Sequence, residues 1–241
     1  MKNDPGNRPA LRKAGRKRAS PALAEPADAP AHRTRQQLLD AASALIRRLG
    51  HVPSIGEVAA SAGVSRATAY RYFSSRSKLI AAVVDFSLGP VRRFESRVED
   101  VEGRLAELFG TTFVRFRDFE PQMRSALQLS LEHAALEAAG RLEEDRYRRG
   151  YRIDILQRTF APLASTMPHQ SIDRLCKAMS LLFGIEPYVI LKDIWGCDNE
   201  EVGSITLWMA TALLAQANRD AARLSSVTEE PDAAARGLLS T

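Results

Sequence analysis

SIGEVAASAGVSRATAYRYFSSRSKLI, residues 54–80, contains the parts of two short helices set at a fixed angle and the start of a third. Ser54 suits an N-cap, and Glu57 three residues later completes a capping box. Val58 and Ala59 open the inward face, and Ala59 is small enough for a second helix to pack close. Gly63 stands where the turn between two such helices takes a left-handed backbone. Val64 supplies an apolar pin beside it. Ser65 then caps the next helix, whose Ala69 and Tyr72 point inward. Arg66, Ala67, Thr68, Tyr70 and Arg71 are left pointing outward. A helix N-terminus offers free N–H groups and a positive dipole end to phosphates and base edges. Arg66 has the forked geometry that pairs with guanine, and Ser65, Thr68, Tyr70 and Arg71 are phosphate donors. Ser75 caps the third helix. Arg76 and Lys78 in its first turn oppose the dipole, so they need an anionic partner, which a DNA backbone would supply.

Outward from this stretch the pattern stays helical. Residues 33–49 align Leu38, Leu39, Ala42, Leu45, Ile46 and Leu49 on one face, and Gly50 follows as a stop. Gly89-Pro90 interrupts the chain. Beyond it lie amphipathic stretches at 91–119 (with a break near Gly103), 122–139, 141–164, 170–195 and 199–223. No alternating strand pattern occurs. The expected fold is all-α, with an N-terminal three-helix helix-turn-helix domain and a larger C-terminal helical domain. The expected organisation is a disordered basic arm at 1–32, a helix-turn-helix DNA-binding domain at 33–88, a larger helical domain at 89–224, and a flexible tail at 225–241.

Residues 1–80 carry 15 Lys and Arg against 5 Asp and Glu, whereas residues 81–241 carry 19 against 24. A basic front on an acidic back points the front at a polyanion. The arm, with RKAGRKR at 12–18, has two readings: entry into a minor groove, or a solubilising tail that attracts phosphate without specificity. No run of 18 apolar residues is present, and no apolar segment follows the basic start, so neither a membrane span nor a secretory signal is expected. The cytoplasm is the default location. Cys176 and Cys197 are too few for a disulfide framework or, by themselves, a metal site. His32, His51, His133 and His169 form no metal-binding or catalytic pattern, and no phosphate-binding Gly-rich loop or nucleophile elbow appears. No catalytic residue, metal or cofactor is expected, and an enzyme is disfavoured. Glu143, Glu144 and Asp145 read as a solvated charge run.

Residues 33–86 resemble the DNA-binding domain of the tetracycline-repressor (TetR) family. The family pattern, T-V-x-x-I-A-x-x-A-G-V-S-x-x-T-x-Y-x-Y-F, is met by SIGEVAASAGVSRATAYRYF at 54–73 and then by SSRSKLI at 74–80. The resemblance implies that Ser54 contacts phosphate, that Ser65, Arg66 and Ala67 open the recognition helix, and that Thr68, Tyr70 and Tyr72 touch the DNA backbone. Departures are Arg71 in a common His position, Arg76 for Lys, Ala67 for Gly and Ala69 for Leu. The basic replacements keep phosphate affinity but leave the preferred site open.

The resemblance further implies a homodimer that reads an inverted repeat in double-stranded DNA, built on the last two long helices. Leu181, Leu182, Ile185, Tyr188, Val189, Leu207, Trp208, Ala210, Leu213 and Leu214 supply apolar surface there. It also implies a pocket for a small effector. Phe113, Phe116, Met123, Leu127, Leu131, Tyr147, Tyr151, Met179 and Phe183 fall on inner faces, with His133 as a hydrogen-bonding candidate. The same residues also serve as ordinary core. Their character favours a lipophilic or aromatic ligand. Repression relieved by ligand is the expected function. Activation and a purely architectural role on DNA remain open.

Overall fold

The structure, a computed structural model, describes residues 29–237, with side chains from 30 to 224. The basic run at 12–18 and residues 238–241 lie outside the described residues. The elements are α1 (Ala29–Leu49), α2 (Ile55–Ser61), α3 (Arg66–Tyr72), α4 (Arg76–Leu88), α5 (Val101–Ala138), α6 (Tyr151–Phe160), α7 (His169–Met179), α8 (Ile185–Trp195) and α9 (Asn199–Gly237). Single 3-10 turns at Gly89–Arg93 and Ala161–Ser165 follow α4 and α6. Among the described residues there is no strand, in accord with the expected all-α class.

Helices α2, α3 and α4 each start where a serine side chain satisfies a free N–H group. Ser54 Oγ accepts from the Glu57 amide (3.2 Å) while the Glu57 carboxylate accepts from the Ser54 amide (2.8 Å). Those hydrogen bonds from the Ser54 side chain and backbone hold the Glu57 carboxyl below the usual carboxylate range. Ser65 and Ser75 cap α3 and α4 through the amides of Thr68 and Lys78. Gly63, at φ +68°, makes the turn between α2 and α3 in the left-handed region. Replacing Ser54 by Ala should cost about 1 kcal/mol. For a chain of this size that lowers the thermal midpoint by roughly 2–4 °C, readable by circular dichroism. An unchanged midpoint would mean that the cap bonds are already replaced by water.

The C-terminal helices depart from the expected spans. The stretch at 91–119 is a 3-10 turn and an irregular segment up to Asp100, which caps α5 through the Gly103 amide (2.6 Å). The break therefore precedes Gly103. From there α5 continues through Pro121 to Ala138, with a kink at Phe119 (φ −126°, ψ 25°) in place of a termination. Residues 141–150 are not helical, and 170–195 is two helices parted by a bend at 180–184. Helix α9 runs well into the expected tail, as far as Gly237.

One apolar core runs through both halves. Leu38, Leu39, Ile46, Leu79, Ile80 and Val83 are fully or nearly fully buried around α1 and α4, and Leu105, Leu108 and Phe109 continue the core along α5. Helix α4 is the seam. It packs on α1 with one face and on α5 with another. Phe109, Phe113, Phe116, Phe183 and Tyr188 form a chain of ring contacts beyond it, with centroids 5.7–6.0 Å apart.

Candidate functional site

Helix α3 buries only Ala69 and presents the rest of its length outward. Arg66, Ala67, Tyr70 and Arg71 are exposed, Tyr70 to 52%. Thr68 and Tyr72 are half-buried, and Thr68 Oγ1 lies 2.9 Å from Ser65 Oγ at the cap. Ser54, at the start of α2, is exposed beside this face. The Arg66 guanidinium rests over Gly56 of α2, where a Cβ would stand 3.3 Å from its Nε. Gly56 thus leaves room for the arginine, a close approach that no turn signal in the sequence announced.

Arg76 departs from the phosphate role expected of it. Its guanidinium pairs with Glu132 near the C-terminal end of α5 (3.3 Å), and its backbone amide donates to Glu144 (3.1 Å). Ser77 Oγ donates to the Asp145 carbonyl at 2.6 Å. The positive end of α4 thus finds its counter-charge inside the molecule. Glu144 is accordingly half-buried and engaged, not part of a solvated charge run. Lys78 stays at the surface, hydrogen-bonded to Ser74 (2.9 Å), with Asp145 at 3.9 Å. At the other end of α4, Arg115 of α5 donates to the carbonyls of Ser87 (2.6 Å) and Phe86 (3.3 Å).

Behind α4 lies a cavity of about 80 Å³. Val84 and Leu88 of α4 wall it on one side, and Thr112, Phe116 and Met123 of α5 on another. Tyr147, Tyr151 and Ile155 close it, with Phe183 and Ile185 from the start of α8 and the bend before it. Arg149, Arg152 and Gly184 stand at its polar end. Burial pushes the Tyr147 hydroxyl up to about 12, with Tyr151 beside it adding to the effect. It faces the cavity as a neutral phenol.

Residues 38–83 match the model of the bacterial regulatory proteins of the tetR family. The helix-turn-helix is of the tetR type. The fold is similar to that of a tetR-family transcriptional regulator from Streptomyces coelicolor, with a TM-score of 0.55 and 20% identity over 83% of this chain and 88% of that one. A TetR transcriptional regulator from Rhodococcus sp. RHA1 superposes with a TM-score of 0.51 and 21% identity, over 76% of this chain and 97% of that one. At these identities the likeness is one of fold. No curated protein is significantly similar to the chain.

The matched segment is a DNA-binding domain of that type, and α3 is the second helix of its helix-turn-helix. Among the described residues no helix is long and apolar enough to cross a membrane. Of the residues expected around an effector, Phe116, Met123, Tyr147, Tyr151 and Phe183 line the cavity. Phe113 and Met179 are buried in the core around it and are absent from its lining. Leu127 and Leu131 are turned to the outer side of α5, where Leu131 is 61% exposed, because the helical phase carries them past the inward face.

His133 does not face the cavity either. Its Nδ1 accepts from the Tyr147 amide (3.1 Å), which fixes the proton on Nε2, 3.2 Å from Glu144. The imidazole therefore joins the cavity wall at Tyr147 to the N-terminus of α4 at Glu144. Sequence spacing did not mark Val84, Leu88, Thr112, Arg149 or Arg152 as cavity residues, since each also reads as ordinary helix face or surface charge.

The apolar surface of α8 and α9 also sorts differently from the sequence. Leu182, Ile185, Tyr188, Ala210 and Leu214 are buried within the chain. Leu181, Ile190, Ile194, Trp195, Trp208 and Met209 are left exposed. Helical phase decides between the two sets.

Proposed function

We propose that this protein is a homodimeric TetR-family transcriptional repressor of the cytoplasm, released from an inverted-repeat operator by a small lipophilic or aromatic ligand. The observation that carries the reading is the position of α4. Its first turn follows the recognition helix, and its last turn, at Val84 and Leu88, walls the cavity. Residues 33–88 act as the DNA-binding unit, and 89–224 as the effector and dimerisation unit. On the DNA side Arg66 reads base edges, while Ser54, Ser65, Ala67, Thr68, Tyr70, Arg71, Tyr72 and Lys78 meet the backbone around it. On the ligand side Phe116, Met123, Tyr147, Tyr151 and Phe183 hold the effector. The exposed apolar side chains of α8 and α9, Ile190, Ile194, Trp195, Trp208 and Met209, offer the partner surface.

The mechanism follows from linkage. A cavity of about 80 Å³ is smaller than the roughly 150 Å³ that accommodates benzene in an engineered core. A drug-sized ligand must therefore push its walls apart, and α4 is one of the walls. Displacing α4 moves α3 with it and changes the spacing of the two recognition helices, which must match successive turns of the duplex.

Selection of bound duplexes from a random pool at physiological salt tests the reading. One inverted-repeat motif is the expected product. Binding without a motif, fading as salt rises, would leave only phosphate attraction. On the selected duplex Arg66→Ala should lose about 1–3 kcal/mol and relax base preference at one position of each half-site. An unchanged motif would remove Arg66 from base reading.

A further inference from the structure

We propose that the effector is a lipophilic carboxylic acid, whose carboxylate takes the place of Glu186 on Arg149 and Arg152. The proposal rests on the ligand-responsive reading above and names the chemistry of that ligand. The two arginines at the polar end of the cavity already hold a carboxylate, that of Glu186, which lies on the adjoining groove. Arg149 Nη1 donates to Glu186 Oε1 at 2.7 Å, and Arg152 Nη2 donates to both Glu186 oxygens at 3.0 Å. Arg152 Nη1 is anchored on the Ser180 carbonyl at 2.6 Å, so this guanidinium is held in position whether or not Glu186 stays. Burial alone would raise the Glu186 carboxyl, but Arg152 and Arg149 bring it below its ordinary value. Gly184 makes the close approach possible, since a Cβ there would stand 2.8 Å from the Arg152 guanidinium nitrogens.

Three features show that the site is under-filled. Two guanidinium groups share one carboxylate. Arg149 Nε is buried with no acceptor. The Thr112 hydroxyl, on the cavity lining and fully buried, also has no partner. Buried polar groups in this condition are costly, and a ligand that reaches them recovers the loss. An adjoining groove continues the cationic end with Arg148 and with Arg146, itself paired to Glu137, next to Ser130. The rest of the cavity is apolar, from Val84 and Leu88 through Phe116 and Met123 to Ile155 and Phe183. A neutral ligand would fill that space but leave the guanidinium surplus as it stands. An acid fills it and meets the fork with two parallel hydrogen bonds. Displacing Glu186, which sits at the start of α8, would join the cavity to the adjoining groove across the two arginines that line both.

Calorimetric titration of the full-length protein with octanoate and phenylacetate, each against its own amide, tests this. At least one acid should bind tenfold or more tighter than its amide. Glu186→Gln weakens the internal competitor, so it should raise acid affinity several-fold and leave the amide unchanged. Arg152→Gln, with a thermal melt to verify folding, should erase the preference. Equal or better binding by the amides, no binding by any of the four, or weaker acid binding in Glu186→Gln would overturn the proposal. The two readings fail separately in a DNA-release assay on the selected duplex. Amides that bind and release DNA while acids stay inert would sink the acid and keep a ligand-released repressor. Acids that bind without releasing DNA would sink release and keep the ligand class.

Discussion

Ile194→Glu combined with Trp208→Glu should convert the protein to a monomer and weaken its binding to an inverted-repeat duplex by roughly 100-fold or more. Ile194 is 73% exposed and Trp208 71% exposed, so neither substitution disturbs the buried core. Both would place a carboxylate where the proposed partner brings apolar surface, and an unpaired charge buried at an interface is strongly unfavourable. Once the dimer is lost, each recognition helix must bind its half-site alone, without the effective concentration that the first half-site gives the second. Sedimentation velocity reads the oligomeric state, fluorescence anisotropy the DNA affinity, and circular dichroism the intact helices. A variant that stays dimeric with full affinity would move the dimer away from the α8–α9 face.

His133→Leu should produce the second large effect. It would strip the Tyr147 amide of its acceptor and Glu144 of one of its donors in a fully packed place, at a cost of about 1–3 kcal/mol for each group left unsatisfied. The larger consequence concerns signalling. His133 and Glu144 are the hydrogen-bonded route from the cavity wall to the Arg76 amide at the start of α4. With that route cut, ligand should still bind with an affinity within a few-fold of the parent, yet release DNA less completely. Glu144→Gln keeps one acceptor oxygen for the two donors, so it loses one of the two bonds and should lie between the parent and His133→Leu. Full release by His133→Leu would show that α4 responds through Val84 and Leu88 alone.

The DNA-binding half was legible because its signals are local. Capping serines three residues before their targets, a glycine at a left-handed turn and an alanine at a close crossing each act within one or two helical turns. The C-terminal half was harder because its decisive interactions span long stretches of chain. Pro121 reads as a stop, yet packing on both sides carries α5 through it as a kink. Residues 141–164 read as one amphipathic helix, but the segment before Tyr151 is used to deliver Glu144 to α4 and Tyr147 to the cavity. Arg76 looked like a phosphate ligand because its partner, Glu132, is distant in sequence. The cavity was half visible. Its aromatic residues stand out, but the arginine pair becomes meaningful only when α8 brings Glu186 against it.

The sharing of α4 between the two sites has a reciprocal consequence. Binding free energies form a closed cycle, so whatever factor a ligand takes from operator affinity, the operator must take from ligand affinity. The DNA-bound protein is therefore the poorer receptor. A compound screened against the protein already seated on its operator will look weaker than it is, by the same factor that makes it a good inducer. Inside a cell, the molecules not on DNA would be the first to fill, and the occupied operators would respond last.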